Sequence, residues 1–127
     1  GGAGGGPGGG PGAIACWFTN ADSTPAAFVA NGTLYAADAV PLGRIQSSTA
    51  YFADSSVAGW MLVGTIYNAD GSVRAFRRTS LLYEADGSLL ANVSTAIYRA
   101  DGTVAGQTGC QDLVTNLALT LFGVFGL

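Results

Sequence analysis

The chain has no histidine and no lysine, one glutamate (Glu84) and one methionine among its 127 residues. Imidazole and ammonium groups are the usual general bases and Schiff-base nucleophiles, so no enzyme and no catalytic residues are expected. Charged residues form 10% of the chain, against about a quarter in ordinary soluble domains. All five basic residues are arginine and the net charge is −3. That argues against nucleic acid, which requires a basic stripe. Arg74, Arg77 and Arg78 are the one basic cluster, expected on a solvated or salt-bridged strand face. Sparse charge beside a 49% hydrophobic composition describes a surface suited to association.

What is present is periodic. Asp22, Asp38, Asp54, Asp70 and Asp86 stand sixteen residues apart, and Asp101 follows after fifteen. A unit this short cannot bury itself alone, so each copy must pack on its neighbours. Three residues before each aspartate comes a tyrosine, Tyr35, Tyr51, Tyr67, Tyr83 or Tyr98; Thr19 takes that place in a degenerate first copy. Asp70-Gly71, Asp86-Gly87 and Asp101-Gly102 between β-forming residues are hairpin turns. Weaker polar breaks recur half a repeat later, at Ser47-Ser48, Gly64, Thr79-Ser80 and Ser94-Thr95.

Each copy thus reads strand, tight turn, strand, small turn, and the fold class is all-β. The faithful repetition of residue size favours a β-solenoid or stacked β-arch, with the five tyrosines as an aromatic ladder; a long-strand antiparallel meander, sandwich or barrel is the alternative. Leu34, Ile66, Leu82 and Ile97 point opposite to the tyrosines, so both faces are apolar and both need covering.

Three regions are expected. Residues 1–12 are a Gly/Pro-rich arm, a linker or a strand threading between subunits. Residues 13–111 are the β-repeat domain. Residues 112–127 are a hydrophobic segment in which Leu117, Leu119, Leu121 and Phe125 mark a terminal strand for capping or donation to a neighbour, with a short helix as second choice. At about fifteen residues it is short of the twenty or so a membrane helix needs, so no membrane span is expected. Cys16 and Cys110 bracket the repeats and are a possible disulfide, which would place the chain in an oxidising, extracellular or cell-surface setting. Asn31-Gly32-Thr33 and Asn92-Val93-Ser94 match the glycosylation acceptor pattern.

No metal or cofactor is expected, since each turn offers one carboxylate where a calcium loop concentrates several. The tyrosines with Trp17 and Trp60 either pack a core or form a glycan-binding face. The Tyr-x-Ala-Asp-Gly-Ser units over residues 32–106 resemble the tyrosine–aspartate repeats of bacterial surface proteins, and the strand-turn-strand plan resembles curli-type β-solenoid fibre subunits. That resemblance implies a surface or fibre context. The expected function is a self-assembling extracellular structural protein, a homopolymer of filament, sheath or surface-layer type held by strand pairing. A monomeric carbohydrate-binding, lectin-like adhesin module is the alternative.

Overall fold

The computed structural model describes residues 13–127; the arm expected over residues 1–12 lies outside the described residues. Twelve short strands follow one another: β1 Cys16–Asn20, β2 Pro25–Ala30, β3 Thr33–Ala36, β4 Pro41–Gln46, β5 Thr49–Phe52 and β6 Val57–Leu62, then β7 Thr65–Asn68, β8 Val73–Arg78, β9 Leu81–Glu84, β10 Leu89–Val93, β11 Ala96–Arg99 and β12 Val104–Thr108. Each pairs antiparallel with its sequence neighbours, and β1 pairs with β12, so the sheet closes into a barrel.

The closed barrel overturns the expected solenoid, and the turns supply the reason. At the aspartate end, Asn68 N donates to Ser72 O and Gly71 N to Asn68 O, with Gly71 at φ 87°. This is a type I turn closed by a left-handed residue, a three-residue hairpin loop with a bulge. At the other end, Asn31-Gly32 (φ 52° and 77°) and Val63-Gly64 (φ 48° and 79°) are two-residue turns with both residues at positive φ. Such turns fold a strand back beside its predecessor in the same sheet. Every copy therefore adds two antiparallel strands, and all six aspartates reach one rim. They sit two strands apart, about 9–10 Å by strand spacing, so the closely spaced carboxylate column of a solenoid never forms.

The two apolar faces are the inside and the outside of the barrel. Phe18, Leu34, Ala50, Ile66, Leu82 and Ile97 on the short strands are fully buried. Opposite them on the longer strands stand Ala27, Gly43, Gly59, Ala75, Ala91 and Gly106. One interior ring thus sets residues of mostly large side chain against small ones, and that accounts for the constancy of residue size along the repeat.

Side chains alone fill a barrel of about eight strands. Twelve strands at about 4.8 Å each enclose a diameter of at least about 18 Å, and a helix with side chains is about 10–12 Å wide. The C-terminal segment is that filling. Asp112–Leu121 is a helix, α1, followed by a short 3-10 turn at Val124–Gly126. This overturns the terminal strand expected from Leu117, Leu119, Leu121 and Phe125. Leu117, Ala118 and Leu119 are all fully buried. The polar residues of α1, Asp112, Thr115, Asn116 and Thr120, recur at helical spacing along one side, a signal that the alternation of Leu117, Leu119 and Leu121 masks.

The plug keys into the small residues of the ring. The Phe122 ring lies 2.5 Å from where a Cβ on Gly43 would stand, and the Phe125 ring 2.5 Å from the same point on Gly106; Leu121 covers Gly59 at 2.9 Å. Arg77 points inward from β8 and anchors the other end. Its Nη1 donates to Asp112 Oδ1 at 2.8 Å and to Asn116 Oδ1 at 2.7 Å, while Nε donates to Thr79 O at 2.7 Å. Among the described residues no buried side-chain nitrogen or oxygen lacks a partner. No helix of the described chain is long and apolar enough to cross a membrane.

Candidate functional site at the barrel seam

Three places on this scaffold carry chemistry-bearing side chains: the aspartate rim, the outer wall, and the seam where β1 meets β12. At the rim each aspartate is absorbed by its own turn. Asp70 Oδ1 accepts from Ser72 N at 2.9 Å and from Ser72 Oγ at 2.6 Å, and Asp22, Asp54, Asp86 and Asp101 repeat the pattern with Thr24, Ser56, Ser88 and Thr103. These side-chain and then backbone hydrogen bonds hold the five carboxyls below the ordinary aspartate range. The inward residues just beneath are likewise engaged: Asn68 Nδ2 donates to Ser72 Oγ, Ser88 Oγ to Glu84 Oε2 and Arg99 Nη1 to Val104 O. Asp70-Gly71, Asp86-Gly87 and Asp101-Gly102 each lie in the turn between two paired strands. Among the described residues no cluster of three or more His, Cys, Asp or Glu is placed to hold a metal ion.

The tyrosines lie on the outer wall. They do not stack on one another as a ladder, because a longer strand separates each from the next. Each instead meets a side chain directly across its hairpin: Phe28 with Tyr35, Arg44 with Tyr51, Trp60 with Tyr67, Phe76 with Tyr83 and Asn92 with Tyr98. Ring centroids are 5.0 Å apart in the first pair, 5.7 Å in the third and 5.2 Å in the fourth, and the Arg44 guanidinium lies 4.6 Å from the Tyr51 centroid. Most of this aromatic surface is therefore spent on cross-strand packing.

The sixth pair is different. Barrel closure sets Gln107, in the place of the aromatic partner, against Thr19, in the place of the tyrosine. Neither carries a ring, and the wall opens there into a groove of about 400 Å³. It is lined by Trp17, Thr19, Thr95, Gln107 and Thr108 together with the Ala15–Cys16 backbone region. Trp17 is 42% exposed, the most open ring of the wall, and leans on Phe28 at 5.1 Å. Thr108 Oγ1 is committed to Trp17 O at 2.9 Å. Within the described chain the Gln107 amide and the Thr19 hydroxyl make no side-chain hydrogen bond, and both line the groove, open to water or to a ligand. No charged side chain lines it.

The disulfide Cys16–Cys110 rivets this seam, two residues from the Phe18–Thr108 pair that closes the barrel. The sequence offered Trp17 either as a core aromatic or as part of a glycan-binding face, and Cys16 with Cys110 as a possible pair. Gln107 was not: its meeting with Thr19 exists only once the ends of the array have joined. The one available sign was Thr19 standing where every later copy has tyrosine.

No known protein family, curated protein or solved structure matches this chain.

Proposed function

We propose that the chain is a disulfide-clamped binding module, working outside the cell or at its surface, that takes a neutral glycan in the seam groove. The observation that carries this is the ring-less sixth pair, which leaves an unbonded amide and hydroxyl beside a half-exposed indole. A sugar presents an apolar C–H face for such an indole and hydroxyls for such polar groups, and the volume suits one or two sugar rings. The lining is uncharged, which favours a neutral ligand. A disulfide spanning the array fits an oxidising compartment.

The strand-paired filament expected from the sequence rested on an open array end. Every strand of the described chain is paired on both sides, and a closed barrel offers no edge for another chain to extend. Strand addition at an array end is therefore not the route by which these strands would assemble, and the seam groove favours the binding module.

Titration of tryptophan fluorescence with a panel of neutral oligosaccharides tests the proposal. At least one should bind; Trp17→Ala should abolish the response, Gln107→Ala should weaken affinity about five- to tenfold, as for one hydrogen bond, and Trp60→Phe should leave it unchanged. A panel without binders, or binding that survives Trp17→Ala, would refute it.

A further inference from the structure

Four of the short turns hold a residue at positive φ in the same place of the repeat, and one of the four differs in chemistry. Asn31, Ser47 and Thr79 place a small polar residue at φ 52°, 54° and 51°. In the copy between them the same place holds Val63 at φ 48°, 95% exposed, next to Leu62 at 59%. A β-branched residue in the left-handed region is strained, and an apolar knob in water has none of its surface buried. Thr79 shares the backbone strain, and Val63 alone of the four adds an exposed apolar side chain to it. Such a local conflict marks a place where something outside the fold supplies the compensation.

A socket lies on the same rim, on the opposite side of the ring. It is a cavity of about 420 Å³ lined by Ala15, Val29, Val114 and the Cys16–Cys110 disulfide, with Gly109 and Gln111 completing it. Charge is distributed to match. Seven of the eight acidic residues, the six turn aspartates and Glu84, belong to the far rim. The eighth, Asp112, is at this rim and is paired with Arg77.

We infer that two copies of this chain associate rim to rim, the Leu62–Val63 turn of each seated in the disulfide-lined cavity of the other. A twofold axis across the rim makes the contact isologous: two identical insertions that close on themselves instead of growing a fibre. The two acidic rims then stand at the outer ends, so association brings none of their seven carboxylates together, and the charges left at the contact are Arg78 and the Arg77-paired Asp112. A second copy fits better than a lipid surface because knob and socket occur together on one rim.

Sedimentation velocity of the full chain with its disulfide intact, across a wide concentration range, is the test. A concentration-dependent dimer is expected. Val63→Asn restores the polar repeat and relaxes the turn, so it should hold or raise the melting temperature while weakening the dimer about tenfold or more, as loss of a central anchor does. Val114→Phe should weaken it from the socket side. A wild-type chain that stays monomeric, or a Val63→Asn dimer as tight as wild type, overturns the inference. So does a monomer that co-sediments with anionic vesicles, which would assign the tip to lipid.

Discussion

Arg77 Nη1 reaches Asn116 Oδ1 at 2.7 Å across the inside of the barrel, joining wall to plug at a fully buried amide. The same nitrogen bonds Asp112, but that carboxylate is 67% exposed, against 11% for Arg77. The amide bond is therefore the one whose loss strands a buried polar group.

Replacing Arg77 by leucine should cost about 1–3 kcal/mol, the penalty for leaving the Asn116 oxygen unsatisfied. Asp112→Asn should cost under about 1 kcal/mol, because solvent screens an exposed partner. Urea denaturation of both variants checks the order. Equal losses would mean that the ion pair, and not the amide, holds the plug.

The glycines under the plug predict steric failure. Gly43→Ala and Gly106→Ala place a methyl against the backbone oxygens of Tyr51 and Thr19 and against the Phe122 and Phe125 rings, and overpacking of this kind costs about 1–3 kcal/mol or more. Adding Phe122→Leu to Gly43→Ala should recover part of the loss, whereas adding it to Gly106→Ala should not. A double-mutant cycle in chemical denaturation reads the difference, since only touching pairs couple.

Reduction tests the rivet. Cys16 and Cys110 are separated by 94 residues, and the chain-entropy estimate for a loop of about 100 residues is about 4–5 kcal/mol. Cys16→Ser with Cys110→Ser should lower unfolding free energy by about that amount while far-ultraviolet dichroism stays β-like, because the β1–β12 ladder and the buried plug remain. A double variant of unchanged stability would show that the seam closes without help.

Acid should act through the aspartate turns. Five of these carboxyls titrate below their ordinary value of 3.8 because Ser and Thr hydroxyls, then backbone amides, bond the ionised form. A depressed folded-state pKa gives stability that is complete above the unfolded pKa and lost as pH falls through the folded value. These groups should therefore contribute fully and give the melting temperature no pH dependence between pH 7 and 5, and it should fall below about pH 4. Ser56→Ala, Ser72→Ala and Ser88→Ala together should shrink that acid-dependent step. An acid profile identical to wild type would refute the assignment.

The sixteen-residue period was enough to show strands, both kinds of turn and two apolar faces, since each depends on residues near one another in the chain. It left solenoid and barrel unresolved, because an even period preserves side-chain parity in either. Gly43, Gly59 and Gly106 held the missing information: a Cβ there would meet first a carbonyl oxygen of the adjacent strand (Tyr51, Tyr67 and Thr19) and then the plug, and nothing local to those glycines announces either. Leu117, Leu119 and Leu121 misled through a local pattern. Their alternation with Ala118 and Thr120 reads as a strand, although Asp112, Thr115, Asn116 and Thr120 keep helical spacing. The seam groove was the least legible part, being made by residues 19 and 107 from the two ends of the array.

The ring of glycines and alanines under α1 also limits how this gene can change. Repeat arrays ordinarily grow or shrink by whole units with little penalty. Here each unit contributes two staves to a cask built round a spindle of fixed girth. Five units would crush the spindle and seven would leave it rattling, so the C-terminal segment acts as a gauge that holds the count at six.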